Sequence, residues 1–266
     1  MPERLHSFLV LCYGESPYLA DCLSSLAAQT EKSEIVLCTS TPNARIAAAA
    51  EAFGARLCVN EKHIGIADDW NFAAAQCDTP YYTLAHQDDL YYPDYVKKLL
   101  PRMHKSIISF CDYEELTDAG LRRSTAMLFI KRLLLFPYLF RHSLNSPAAK
   151  RSILSFGSAV CCPSVMYNQA RLKGFAFDPA YAVSLDWDAW LRMTDMPGAF
   201  TYEKSVQMAH RIHRESETSR QIASDGRNRE DARMMARIWP APVAKLLSRA
   251  YAHSTDSNGT TAGQRP

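Results

Sequence analysis

The first 112 residues alternate short apolar runs with segments of helix length, and this rhythm limits the fold more than any other feature of the chain. Residues 8–12, 35–38, 57–59, 81–85 and 107–111 read as strands. Between the first two, Ser16 offers an N-cap oxygen and Pro17 a pre-set first helical residue, and Leu19, Cys22, Leu23, Leu26 and Ala27 form one apolar face. Residues 44–53 predict an alanine-rich helix that Gly54 terminates, Gly65 opens another through Phe72 and Ala75, and 93–103 predict a fourth. Such alternation predicts an α/β fold with a mainly parallel central sheet flanked by helices, with ligands at the carboxyl edge of the strands.

Beyond residue 112 the rhythm is lost. Residues 113–160 read as irregular, 164–167 as a strand, 185–193 as a short helix and 206–212 as a strand, with polar helices around 218–238 and 242–252. Residues 254–266 carry no apolar anchor and are expected to be a disordered tail, leaving one domain over 1–253. With 47% hydrophobic residues the chain is globular, and a net charge of +2 with no long basic run gives no support for a nucleic-acid partner. Eight cysteines without a Cys-x-x-Cys pair, behind a start lacking a secretory signal, read as small buried hydrophobes in a reducing cytoplasm.

The run Leu84-Ala85-His86-Gln87-Asp88-Asp89-Leu90-Tyr91-Tyr92-Pro93 puts two adjacent carboxylates directly after a strand. Carboxylate oxygens are the hard ligands that Mg²⁺ or Mn²⁺ prefers, and a cation held by one or two of them keeps positions free for substrate phosphates. A solvated turn with a helix-capping Asp is the plainer reading of the run taken alone.

Four segments in order resemble an inverting family 2 glycosyltransferase of the GT-A nucleotide-sugar-binding fold. They are the strand and loop Phe8-Leu9-Val10-Leu11-Cys12-Tyr13-Gly14-Glu15 with Gln29-Thr30; Asn60 and Gly65 ahead of Asn71; His86-Gln87-Asp88-Asp89 as the Asp-x-Asp-type metal motif; and Leu185-Asp186-Trp187-Asp188-Ala189-Trp190-Leu191-Arg192. The resemblance spans about residues 7–218 and implies a nucleotide-sugar-binding half over 1–112 and an acceptor-side half with a C-terminal helical region over 113–253. It implies Tyr13, Glu15, Ser40, Asn71, Gln87, Asp88 and Asp89 at the donor, Asp88 and His213 at a Mn²⁺ or Mg²⁺ ion, and Asp186 as the base that deprotonates the acceptor hydroxyl. The chain departs from the family in three places. Cys38-Thr39-Ser40-Thr41 replaces the Asp-Asp-Gly-Ser that reads the nucleobase, His86 replaces the first Asp of the metal motif, and Trp70 replaces an Arg that meets the diphosphate.

Inverting transfer requires a carboxylate base at the acceptor and a charge-stabilised leaving group on the opposite face of the anomeric carbon. Asp186 and Asp188, two apart on a helix, face different directions, so only one of them can serve, and Trp187 and Trp190 are expected beside it. His210 and His213, three apart on a strand, make a poor two-histidine metal pair. These readings imply transfer to a glycan or lipid-linked acceptor in bacterial surface polysaccharide synthesis. A sugar-phosphate nucleotidyltransferase and a catalytically silent sugar-nucleotide or glycan-binding module stand as alternatives. The run 127–140, rich in Leu and Phe but interrupted by Lys131, Arg132 and Pro137, is too short to span a bilayer; it reads either as a packed helix or as peripheral membrane contact with its basic pair toward the headgroups.

Overall fold

The computed structural model describes residues 4–62, 64–213 and 226–248. Its strands are β1 (His6–Cys12), β2 (Glu34–Thr39), β3 (Arg56–Val59), β4 (Tyr81–His86), β5 (Leu90–Tyr91), β6 (Ser106–Thr117), β7 (Gly120–Arg122), β8 (Ser143–Leu144), β9 (Val165–Asn168) and β10 (Ala199–Arg211). The helices are α1 (Leu19–Ala27), α2 (Ala44–Ala52), α3 (Ile66–Ala75), α4 (Tyr95–Leu99), α5 (Ala126–Leu134), α6 (Pro147–Ser152), α7 (Leu185–Met193) and α8 (Gly226–Ile238), and residues 241–248 are helical as well. The strands form one sheet in the order β3-β2-β1-β4-β9-β6-β10-β5, with β7 on β6 and β8 on β10. Pairs β1–β2, β1–β4, β2–β3 and β6–β10 are parallel, while β9 runs antiparallel between β4 and β6. This is the expected α/β sheet, with helices and loops packed over two hydrophobic clusters.

Burial explains the strand choice. Residues His6 to Val10 of β1 are buried without alternation, as in a parallel strand covered on both faces. His6 is accommodated between hydroxyls: Nδ1 lies 2.8 Å from Ser33 Oγ and Nε2 lies 3.0 Å from Thr83 Oγ1, and burial lowers its pKa to about 3.

Helix 93–103 is shorter than expected. It runs over Tyr95–Leu99 and tightens into a 3₁₀ turn at Leu100–Arg102, where Pro101 has no amide hydrogen to continue the ladder. Helix α1 begins at Leu19, since Ser16 Oγ instead accepts the Tyr18 N–H at 3.2 Å. The larger correction concerns 113–160, which is not irregular: β6 continues to Thr117, a hairpin leads into β7, and α5, β8 and α6 follow. Likewise β10 begins seven residues before the predicted strand and absorbs Glu203, Lys204 and Ser205 through shifts of register. The described residues after 112 thus add strands to the sheet as well as helices. The expected tail lies outside the described residues, as do the start of the helix predicted near 218 and the end of the one near 252. The eight cysteines are free, seven of them buried.

Candidate active site

The parallel register brings three chain crossings to one edge. Leu11 stands opposite His86 and Cys12 opposite Thr39, so the loops after β1, β2 and β4 leave the sheet side by side. Gln87 ties two of them together: its Nε2 donates to Tyr13 O at 2.8 Å and its Oε1 accepts the Tyr13 N–H at 3.2 Å. The Tyr13 ring itself is exposed, and Glu15 is exposed beside it.

Strand β5, directly after the two aspartates, pairs antiparallel with β10, Leu90 opposite Ala209. That pairing delivers the end of β10 to the carboxylates. His210 Nδ1 lies 2.9 Å from Asp89 Oδ1, the Arg211 N–H donates to the same oxygen at 2.8 Å, and Arg211 Nε donates to Asp88 O at 2.8 Å. His213 Nε2 lies 2.8 Å from Asp88 Oδ2, and its ring rests against Tyr18. Strand alternation predicted opposite faces for the two histidines. Because β10 ends at Arg211, alternation does not extend to His213, and both imidazoles turn to the carboxylate pair.

Asp89 is fully buried. Burial alone would push its carboxyl up, but His210 in contact, helped by His86 and the Arg211 amide, holds it below the usual range. Burial likewise works against the charge on His210, yet Asp89 holds that imidazole above its ordinary value. For His86 burial prevails and its pKa falls.

His86, Asp88 and Asp89 each place one donor atom within 4.8 Å of the others. Asp89 Oδ2 and His86 Nε2 are buried without a hydrogen-bond partner among the described residues. Two carboxylates and an imidazole suit Mn²⁺, which accepts nitrogen beside oxygen, at least as well as Mg²⁺. The residue that departs from the family's aspartate is therefore a fitting third donor, a role the sequence reading did not give it. His213, expected as a ligand, lies outside this group and hydrogen-bonds one of its members.

At the end of β2, Ser40 Oγ donates to Asp69 Oδ2 at 2.9 Å, and Asn60 Nδ2 reaches Asp68 Oδ2 at 2.8 Å and Asp69 Oδ1 at 3.0 Å. The carboxylate missing from the β2 loop is thus supplied to the same place by α3, next to a hollow lined by Val59, Asn60, Glu61, Lys62, Asp68 and Phe72. Asn71, expected at the donor, has both ends of its amide on the Phe177 backbone, accepting at 2.7 Å and donating at 2.9 Å; it pins the 177 segment to α3. Trp70 is buried between Phe177 and the His86 ring, replacing a charged contact with a wall behind the imidazole.

Helix α7 spans the predicted 185–193. Its start is gripped by α8: Glu230 accepts the N–H groups of Ala182, Val183 and Ser184, and Ser184 Oγ donates to Asp231. Asp186, in the first turn, accepts the Trp187 N–H at 2.6 Å and the Ser158 hydroxyl at 3.5 Å. Burial pushes the Cys161 thiol up to about 12; Lys131 opposes this, while the carboxylates of Asp89, Asp186 and Glu115 add to it. Asp188 is structural: it is 1% exposed and paired with Arg192 at 2.8 Å and Arg237 at 2.5 Å. Trp187 and Trp190, expected beside the base, are buried in the core, Trp187 Nε1 donating to Leu154 O.

A mainly parallel sheet with an acidic cluster at the end of its fourth strand defines a GT-A nucleotide-diphospho-sugar fold. The sequence pattern of glycosyl transferase family 2 matches residues 7–152, more than half of the chain, which belongs to that family. An uncharacterised glycosyltransferase of Rickettsia typhi is 24% identical over 225 residues, covering 79% of this chain, and the chain spans 64% of that relative's length. Among solved structures, S. aureus TarS 1–349 in complex with UDP-GlcNAc superposes with a TM-score of 0.59 at 16% identity, covering 80% of this chain and 60% of TarS 1–349. The mannosyltransferase PcManGT of Pyrobaculum calidifontis, in complex with GDP-Man and Mn²⁺, gives 0.60 at 13%, covering 100% of this chain and 78% of the other. These likenesses share the fold.

Proposed function

We propose that this protein transfers a sugar, with inversion, from a nucleoside-diphosphate sugar to a hydroxyl of a glycan or lipid-linked acceptor in bacterial surface polysaccharide synthesis. The observation that carries the reading is the group His86, Asp88 and Asp89 at the carboxyl edge of the sheet, where Asp89 Oδ2 and His86 Nε2 are buried without a hydrogen bond among the described residues. A divalent cation, Mn²⁺ or Mg²⁺, held there neutralises negative charge on the donor diphosphate. Asp89, locked by His210 and Arg211, keeps the loop rigid, and His213 orients the Asp88 carboxylate. Tyr13 and Glu15 border the donor, and Ser40 with Asp69 offers a hydroxyl and a carboxylate to the nucleobase.

Asp186 is the base in this reading. Its carboxylate takes the proton from the acceptor hydroxyl as the new bond forms at the anomeric carbon and the diphosphate leaves from the far side. It stands in the first turn of α7, where its carboxylate accepts the Trp187 N–H and the Ser158 hydroxyl. The PcManGT and TarS complexes support a nucleotide-sugar donor without specifying which one.

The test is a screen of nucleotide sugars and free nucleoside diphosphates for thermal stabilisation with and without Mn²⁺, since a ligand that binds the native state raises the melting temperature. Stabilisation by one nucleotide family that requires the cation is expected. Stabilisation by none of them removes the donor assignment.

A further inference from the structure

Helix α5 has two unlike sides. Thr125 caps it, accepting the Leu128 N–H at 3.2 Å, and Leu128, Leu135 and Tyr138 anchor it and the following turn in the core. The expectation that Lys131 and Arg132 face lipid is overturned. Arg132 is bound to Asp112 at 3.0 Å and to the carbonyls of Arg123 and Tyr113, and the Lys131 ammonium lies 5.2 Å from the centre of the Tyr113 ring, on the side where Cys161 and His210 feel its charge. Lys131 thus belongs to the wall of the active site.

The opposite side carries no such partners. Phe129 (67% exposed), Ile130, Leu133, Phe136, Leu139 and Phe140 (83%) stand in water, the last Phe pair in edge-to-face contact at 6.0 Å. Phe129, Ile130 and Leu133 share one helical stripe, roughly opposite Lys131 at about 100° per residue. Exposed apolar side chains grouped in this way mark an interaction surface. Exposed Arg122 and Arg141 flank it at either end, and Lys204 reaches it by donating to Leu139 O at 3.2 Å. Arg123 and Arg132 on the same stretch are taken up by Glu114 and Asp112, so Arg122, Arg141 and Lys204 are the basic residues left to meet a partner at this face. An apolar stripe framed by exposed basic residues matches an anionic lipid surface, where such a helix lies in the plane of the headgroups.

We propose that the outer face of α5 and the turn after it seat this protein on an anionic bilayer. The catalytic wall carrying Lys131 then stands one helix thickness from the lipid surface, where a lipid-linked acceptor presents its sugar. The inference deepens the acceptor reading above and rests on it for its purpose, but its test reads vesicle binding and needs no turnover, so failure of docking and failure of transfer are told apart.

The full chain is sedimented with vesicles of phosphatidylcholine alone and of phosphatidylcholine with phosphatidylglycerol, at low and high salt. The comparison variant carries Phe129→Ser, Leu133→Ser, Phe136→Ser and Phe140→Ser, all exposed positions, and its melting temperature checks folding. The wild type is expected to pellet with the anionic vesicles and be released by salt, and the variant to partition roughly 10²-fold more weakly. In a second variant, Arg122→Glu with Arg141→Glu, binding to the anionic vesicles is expected to drop while the apolar stripe stays intact. Absence of wild-type binding to any vesicle, or equal partitioning of wild type and the four-site variant, overturns the proposal. A wild-type dimer in lipid-free buffer that the same four substitutions dissociate overturns it too, by assigning the face to a second copy of the chain.

Discussion

Asp186→Asn and Asp188→Asn, two residues apart on one helix, should fail in opposite ways. Asp188 is 1% exposed and accepts from two guanidinium groups, so the amide leaves both without their counter-charge. Breaking a buried pair in this way costs about 3–5 kcal/mol. Arg192 and Arg237 retain side-chain exposures of 33% and 36%, so water relieves part of their loss and the cost falls near about 3 kcal/mol. For a domain of this size that lowers the melting temperature by about 6–12 °C. Asp186 keeps its contacts with the Trp187 amide and Ser158 as an asparagine, whereas Asp188 loses its charge between two guanidinium groups, so the melting temperature of Asp186→Asn should fall less than that of Asp188→Asn. Turnover, measured as release of nucleoside diphosphate in the presence of acceptor, should drop by about 10²-fold or more in Asp186→Asn, with donor binding retained. A cool-melting Asp186→Asn with near-normal specific activity, or an Asp188→Asn that melts like wild type while losing turnover, refutes the division of labour.

Two further outcomes concern the scaffold. His6 is held neutral with its pKa near 3, against about 6.5 in the unfolded chain, so the native state binds fewer protons as pH falls through that window; stability is complete above pH 6.5 and declines by about 2 kcal/mol at pH 5. Denaturant titrations at pH 8 and pH 5 check this: His6→Gln should flatten the acid limb, and an unchanged slope rules the histidine out as its source. Gly198 has φ +116°, and an added Cβ would lie 2.9 Å from the Ile107 amide nitrogen, so Gly198→Ala should destabilise by about 2 kcal/mol or more, read as a lowered denaturation midpoint at constant slope.

Legibility in the sequence followed the range of the forces involved. Strands β1 to β4 and helix α7 are readable because the spacing of their apolar residues defines them. The continuation of β6 past Cys111 was hidden because Asp112, Glu114 and Glu115 break the apolar pattern; Asp112 and Glu114 are neutralised by distant groups, Arg132 for the first and Arg123 with Tyr92 for the second. The adjacent carboxylates Asp88 and Asp89 were visible as a site from their place after a strand. The roles of His210 and Arg211 are not visible in the sequence, since they arise from the pairing of β5 with β10 across more than a hundred residues. Asp68 and Asp69 went unremarked because nothing in the helix pattern of α3 announces that they fill the place left at the end of β2. The choice between the two readings of 127–140 is not made by the sequence, because only the fold reveals that Asp112 and Tyr113 draw the basic pair inward.

The central claim is that Asp88 and Asp89 hold a cation that in turn holds a nucleoside diphosphate, and calorimetric titration of UDP and GDP into wild type and Asp88→Ala, each with Mn²⁺ and with chelator, tests it most directly. Asp88 lies at a strand end rather than in the core, so the variant should fold with an unchanged melting temperature. The account predicts that one nucleotide binds the wild type only with Mn²⁺ and that Asp88→Ala weakens this binding by about 10²-fold or more, the loss of a charged ligand being large. Metal-independent nucleotide binding by the wild type, or undiminished Mn²⁺-dependent affinity in the folded variant, contradicts it.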